Sequence, residues 1–270
     1  MKKYILILVS HLLIYNVFGF DLSKPAGGRS AAMGRTGVCD QGLMGLQNNP
    51  AGLAYNERWC FGAYYENAWM LKETAYKYGM VAKGIPKVGC LGLSFFQFGG
   101  SAYSENKFGV AYARAFGPYL QLGIQADYLL LHWGDGYRNQ STFSFELGLQ
   151  SQVTPKLRLG AYVFNPIHSR LGTLNGDGIP IVMRFGMAYQ FMEEFEGQCE
   201  VEYDSSRRGF SLRGGVEYLV FKRFYLRAGV QANPNIFTFG ISYQLFGITL
   251  EVAAQMQAVG VRSLGVGVGS

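Results

Sequence analysis

The residues that could do chemistry in this chain are carboxylates and guanidiniums spaced two apart. Glu194, Glu196, Glu200, Glu202 and Asp204 share one parity within a single stretch. Lys77, Asp127, Glu146, Arg158, Arg184, Arg213, Glu217, Arg227 and Glu251 sit on the corresponding parity of others. Spacing by two puts side chains on one face of an extended strand. A row of carboxylates could hold a cation, but the stretch from Glu194 to Asp204 lacks the Asp/Asn/Gly loop of a calcium site, and no metal is expected. Charges of both signs on one enclosed face are expected to pair with each other and with water. Asp127, Glu146, Arg158, Arg184, Glu200, Glu202, Arg213, Arg227 and Glu251 are therefore read as an interior charge network.

Other reactive groups are sparse. Beyond the N-terminal leader only His132 and His168 remain, and no GxSxG element accompanies them. His132 stands beside Trp133 at an apolar strand end, a place for an interfacial residue. No catalytic residue and no cofactor is expected, and the chain is read as a non-enzyme. Gly99-Gly100 and Gly34-Arg35-Thr36-Gly37 do not lead from a strand into a helix, so they make poor phosphate cradles. Cys39, Cys60, Cys90 and Cys199 show no CxxC spacing. A bridge from Cys39 to Cys60 or Cys90 is one reading; small apolar residues in tight places is the favoured one. Cys199 takes the outward parity and is expected to be free. The net charge of +6 falls to +4 without Lys2 and Lys3. The remaining Lys and Arg form no stripe, so nucleic acid is not an expected partner.

Period-two alternation runs through almost everything after Arg58. Phe143, Phe145, Leu147 and Leu149 oppose Ser144, Glu146, Gly148 and Gln150; Ile248, Leu250, Val252 and Ala254 oppose Thr249, Glu251, Ala253 and Gln255. Fourteen such segments can be counted, near residues 58–66, 73–83, 87–98, 106–116, 120–130, 142–150, 157–164, 181–191, 194–204, 210–219, 224–232, 237–244, 248–257 and 262–269. Charged residues make up 16% of the chain, below the usual share of about 25%, as suits a wall whose outside is apolar. A large, often aromatic face opposite a face of Gly, Ala, Ser, Gln and charge predicts an all-β, fourteen-stranded antiparallel transmembrane barrel, apolar outside and polar within. Closure also removes the strand edges that lipid does not tolerate.

The remaining segments complete the plan. Met1-Lys2-Lys3 and the run from Tyr4 to Val17 read as a signal peptide over residues 1–20. Residues 21–57 are small, Gly-rich and weakly helical, and are read as an N-terminal arm with short helices. Residues 58–270 form the barrel. With the arm on the periplasmic side, alternate connections are short, such as Gly117-Pro118-Tyr119 and Phe246-Gly247, and the others are longer, such as Trp133 to Ser141 and Asn165 to Ile179. The lumen is expected to be closed by the arm and its salt bridges, in preference to an open polar conduit.

The arm contains Gly27-Gly28-Arg29-Ser30-Ala31-Ala32-Met33-Gly34 and then Asn49-Pro50-Ala51-Gly52-Leu53 just before the first strand. It resembles the N-terminal segment of the long-chain fatty-acid transporter (FadL) superfamily, most closely its PorV/PorQ-like branch in Bacteroidetes. The resemblance implies a barrel in the outer membrane of a Gram-negative bacterium, with Asn49, Pro50, Ala51 and Gly52 as a plug turn inside the periplasmic mouth. It implies outer-membrane lipid as surroundings and two alternative roles. One is a non-enzymatic accessory subunit of a type IX secretion or outer-membrane biogenesis assembly, held to a larger outer-membrane protein partner. The other is passive transport of a hydrophobic small-molecule ligand.

Overall fold

The computed structural model describes residues 22–134, 138–171, 178–207, 209–257 and 260–269. The expected signal peptide lies outside the described residues, as does Asn175-Gly176-Asp177 of the longest loop. Fourteen strands occur among the described residues: β1 (Trp59–Ala68), β2 (Ala75–Ile85), β3 (Gly89–Gly99), β4 (Tyr103–Phe116), β5 (Leu120–Trp133), β6 (Gln140–Thr154), β7 (Leu157–Phe164), β8 (Val182–Met192), β9 (Phe195–Asp204), β10 (Gly209–Phe221), β11 (Phe224–Ala232), β12 (Ile236–Leu245), β13 (Ile248–Gln257) and β14 (Gly260–Gly269). Each pairs antiparallel with its neighbours in sequence. β1 also pairs with β14, from Gly62 opposite Gly269 to Ala68 opposite Ser263, which closes the barrel.

One rim carries tight turns. β12 and β13 are joined by Phe246 and Gly247 alone, both with positive φ (50° and 81°), as a two-residue hairpin twisted to match its strands requires. The opposite rim carries the longer connections, including 134–139 and 165–181. Between the rims the outer wall is apolar: Leu122, Ile124, Leu147, Phe185, Leu250 and Val252 are all exposed. Exposed aromatics stand nearer the rims, Trp59, Tyr119, Phe221 and Phe246 at the turn rim and Trp69, Trp133, Phe210 and Phe237 at the loop rim. That is the pattern of a lipid-facing band with interfacial girdles. No helix among the described residues is long and apolar enough to cross a membrane; the strands cross it.

The structure corrects the parity in places. In β2 the inward residues are Tyr76, Tyr78, Met80 and Ala82, so Lys77 points outward, where its amine donates to Gln97 Oε1 at 2.9 Å. The rule that the bulkier face looks out fails there because this sector of the lumen is itself aromatic. Glu194 sits exposed in the turn between β8 and β9, outside the network. β4 begins at Tyr103, three residues earlier than alternation suggests, because the polar pair Ser104-Glu105 reads as loop yet pairs with β5.

Candidate functional site

The arm lies inside the barrel. Its short helices α1 (Gly28–Ala32) and α2 (Gly45–Asn48) and the 3-10 turn Pro50–Tyr55 touch strands on many sides of the wall. The approach is backbone to backbone, so the wall must lack side chains where the arm passes. A methyl group at Gly123 or Gly148 would overlap Pro50 or Asn49; at Gly160 it would overlap Val38, at Gly215 Met33, and at Gly229 the peptide joining Met33 to Gly34. Each of these glycines faces the lumen. Gly34 itself has φ of 69° and lies against the Val230 carbonyl, so this position excludes a side chain on two grounds.

The turn from Asn49 to Gly52 is held by Asn49. Its Nδ2 donates to Val38 O at 2.7 Å and to the wall carbonyls of Leu149 and Ala161 at 3.3 Å each, while its Oδ1 accepts from Ala51 N at 3.1 Å. Pro50 starts the 3-10 turn, where its missing N–H costs nothing. Gly52 packs on the Asp40 carbonyl, where a side chain would collide. Asn49, Pro50, Ala51 and Gly52 are thus all buried at the inner wall.

Ion pairs fasten the arm elsewhere. Arg29 reaches Glu196 at 2.7 Å, Glu217 at 3.2 Å and Asp40 closely. Burial alone would depress its guanidinium; Glu217, Asp40 and Glu196 outweigh that and hold it charged. Burial raises Asp40 even with Arg29 against it. Around this centre Arg158 pairs with Glu196 at 3.4 Å and donates to Cys39 O at 2.8 Å. Arg227 bridges Glu217 and Glu251, the latter at 3.1 Å, and Glu251 accepts from Gly28 N at 2.9 Å. Glu200 accepts from Gly37 N and Val38 N at 2.8 and 2.9 Å. Arg213 pairs with Glu200 at 3.2 Å and with Glu202, and Arg184 pairs with Glu202 at 2.7 Å. The wall offers carboxylates, and the arm answers with Arg29, Arg35 and its own N–H groups.

Arg29→Ala leaves Asp40, Glu196 and Glu217 facing one another beside only Arg158 and Arg227. Losing one partner of a buried ion pair costs about 3 kcal/mol, which is roughly a hundredfold in the opening of the arm. Thermolysin cleavage within residues 22–57 should rise accordingly, with the folded barrel still migrating as a compact band in unheated SDS gels.

Asp127 and Glu146 are inside but away from the arm. Lys107, fully buried, donates to Glu146 at 2.6 Å, and Tyr162 Oη donates to its other oxygen at 3.0 Å. One Asp127 oxygen accepts from Gln125 Nε2 at 2.8 Å. A wall of aromatics flanks this group on β1 to β3: Tyr64, Tyr76, Tyr78 and Phe96 are buried, and the Tyr78 and Phe96 rings lie 5.0 Å apart. All nine charges expected in the network face the lumen. The expectation missed Glu66, Lys107, Arg29, Arg35 and Asp40. Glu66, which pairs with Arg35 and with Lys24 (3.2 Å), falls on the inward parity of β1, so alternation alone could have found it. The arm has no periodicity to read.

The four cysteines are free. Cys39 lies against β7, near Arg158 O at 3.7 Å, on a different part of the wall from β1 and β3, so no bridge to Cys60 or Cys90 forms. Burial pushes its thiol up, which makes it a poor nucleophile. Cys199 is exposed on the outer face. His132 sits at the end of β5 with Nδ1 2.8 Å from Asn139 Oδ1, and His168 lies in the loop after β7.

No family model matches this sequence, and no curated protein matches it. Solved structures do. CymD, a monoaromatic hydrocarbon channel, superposes with a TM-score of 0.66 at 14% identity over 93% of this chain and 98% of its own. The toluene transporter TbuX of Ralstonia pickettii gives 0.68 at 15% identity over 95% and 98%. A FadL homologue of Pseudomonas aeruginosa gives 0.63 at 11% identity over 90% and 97%. Such identities establish a shared fold and nothing finer: this chain has the closed fourteen-stranded barrel fold of FadL-like hydrocarbon channels.

Proposed function

We propose that the chain is an outer-membrane barrel for the passive passage of small apolar molecules, with the arm as closure of its lumen on the periplasmic side. The observation that carries this reading is the aromatic inner wall of Tyr64, Tyr76, Tyr78 and Phe96 in a barrel folded like CymD and TbuX. A lumen meant only for ions has little use for such a surface. The exterior supports a site in lipid, and the charge network supports an arm fixed at rest. The role involves no covalent chemistry.

A second reading keeps the barrel shut for good and makes it an accessory subunit of a type IX secretion or biogenesis assembly. The dense ion pairing of the arm favours it, together with the PorV/PorQ-like Asn49-Pro50-Ala51-Gly52 turn. The two readings separate in one host. A Gram-negative strain without its own hydrocarbon channel, given this chain, should take up radiolabelled toluene severalfold faster at limiting concentration. Tyr78→Glu should return uptake to that of the empty host. Uptake no faster than the empty host, with a large barrel co-purifying in equal amount from mild detergent, would favour the subunit.

A further inference from the structure

On the outer wall, β2 forms the floor of a groove. Its outward residues run Lys83, Val81, Gly79, Lys77 from the turn rim towards the loop rim. The strands on either side carry larger groups. Trp59 and Leu91 flank Lys83, and Phe61 and Leu93 flank Val81. Beside Gly79 stand Ala63 on β1 and Phe95 on β3, and a methyl group at Gly79 would have no atom within 4 Å. Side chains on β1 and β3 stand two strand spacings apart, about 10 Å, and the floor from Lys83 to Lys77 is about 20 Å long. A single hydrocarbon chain fits along it.

The two ends of the groove differ. At the loop-rim end Lys77 already donates to Gln97 Oε1 at 2.9 Å. At the turn-rim end the Lys83 amine stands 4.9 Å over the Trp59 ring, which stacks on Phe61 with centroids 6.0 Å apart. A ring face positions an ammonium while leaving hydrogens for an anion. Arg58 directly precedes Trp59, and its carbonyl accepts from Gly84 N at 3.2 Å, next to Lys83. Lys87 is exposed on the β2–β3 turn. Arg58, Lys83 and Lys87 make no ion pair among the described residues, and the exposed Glu57 pairs with none of them. Cations, an aromatic platform and an apolar groove thus lie in one line, the order of phosphate, glycerol and acyl chain in a phospholipid.

We propose that this face binds one anionic glycerophospholipid. Its phosphate rests on Lys83, Arg58 and Lys87, and one acyl chain lies over Val81 and Gly79 between Phe61 and Leu93. Lysine and arginine give phosphate oxygens charge-assisted hydrogen bonds, the stronger kind, and basic residues at a membrane surface favour anionic headgroups. With the turn rim on the periplasmic side, the headgroup belongs to the inner leaflet, where the outer membrane keeps its phospholipid. The proposal concerns the outer wall, so it stands or falls apart from what passes through the lumen.

The test is native mass spectrometry of the full chain in detergent with added lipid. One phosphatidylglycerol should stay bound at an activation energy that strips phosphatidylcholine. Lys83→Gln combined with Arg58→Gln should lower the bound fraction roughly tenfold or more. Lys156→Gln, which removes a cation on the β6–β7 turn away from the groove, should leave it unchanged. Gly79→Phe fills the groove without displacing protein atoms, so it should lower retention of the same lipid while the compact unheated gel band persists. Equal retention of the two lipids overturns the proposal. So does retention unchanged in Gly79→Phe or in the double variant, or an equal loss in Lys156→Gln. Stronger retention of lipid A than of phosphatidylglycerol overturns it too, since the face would then belong to the other leaflet.

Discussion

Replacing Gly229 by Leu should unseat the arm and leave the wall standing. Gly229 faces the lumen from β11, and any side chain there meets the backbone of Met33 and Gly34. Those atoms are poorly able to yield. Gly34 N donates to Thr238 Oγ1 at 2.8 Å, and that hydroxyl donates to Ala32 O at 2.7 Å, so the arm is pinned on both sides of the collision. Overpacking a core where side chains can shift costs about 1–3 kcal/mol. Here the obstacle is backbone, and the upper end applies, roughly a hundredfold in the open population. The strand pairing of β11 lies in the wall and does not need the arm. The expected result is rapid thermolysin cleavage of residues 22–57, a compact unheated band on SDS gels, and a lower melting temperature. Gly79→Ala is the control: no atom lies within 4 Å of a methyl group there, and stability should be unchanged.

How much of this was legible follows from what alternation reports. All fourteen strands were readable because a lipid-facing wall forces one apolar face on every strand. The inward placement of Asp127, Glu146, Arg184, Glu200 and Glu251 followed from the same rule. The rule broke at Lys77, where tyrosines occupy the lumen and a lysine the outside near the rim. It broke again at Ser104 and Glu105, where a strand carries polar residues on both faces. The glycines were visible but misleading. Gly123, Gly148, Gly160, Gly215 and Gly229 could be read as kinks in the wall; they are seats for the arm, and their common inward parity was the available signal. The partners of Arg29 and Arg35 could not be read, since an irregular segment has no period to say which side chain meets which strand.

The arm is also the reason to expect a closed pore. A fourteen-stranded barrel falls between small barrels filled by side chains and the sixteen-stranded porins that leave a water channel. Its lumen is wider than wall side chains fill, and α1, α2 and the Asn49-Pro50 turn lie within it. Removing Gly27 to Leu46 takes away α1, Arg29, Arg35 and Asp40. Glu66, Glu196, Glu200 and Glu217 would then face water, which solvates them once the space is wet. The wall keeps all its hydrogen-bonded pairs. The deleted chain should therefore fold as a barrel with an ion-conducting lumen, biased towards cations by the carboxylates left behind.

Single-channel recording in planar bilayers tests this most directly. The full chain should show little conductance, and the chain lacking Gly27 to Leu46 should show stable openings at least on the order of tenfold larger, as an unplugged barrel of this strand number requires. Gly229→Leu should show intermittent openings of the same size, which guards against a deletion that merely misfolds. If the deletion and Gly229→Leu both conduct no more than the full chain while remaining folded, the arm does not close this barrel.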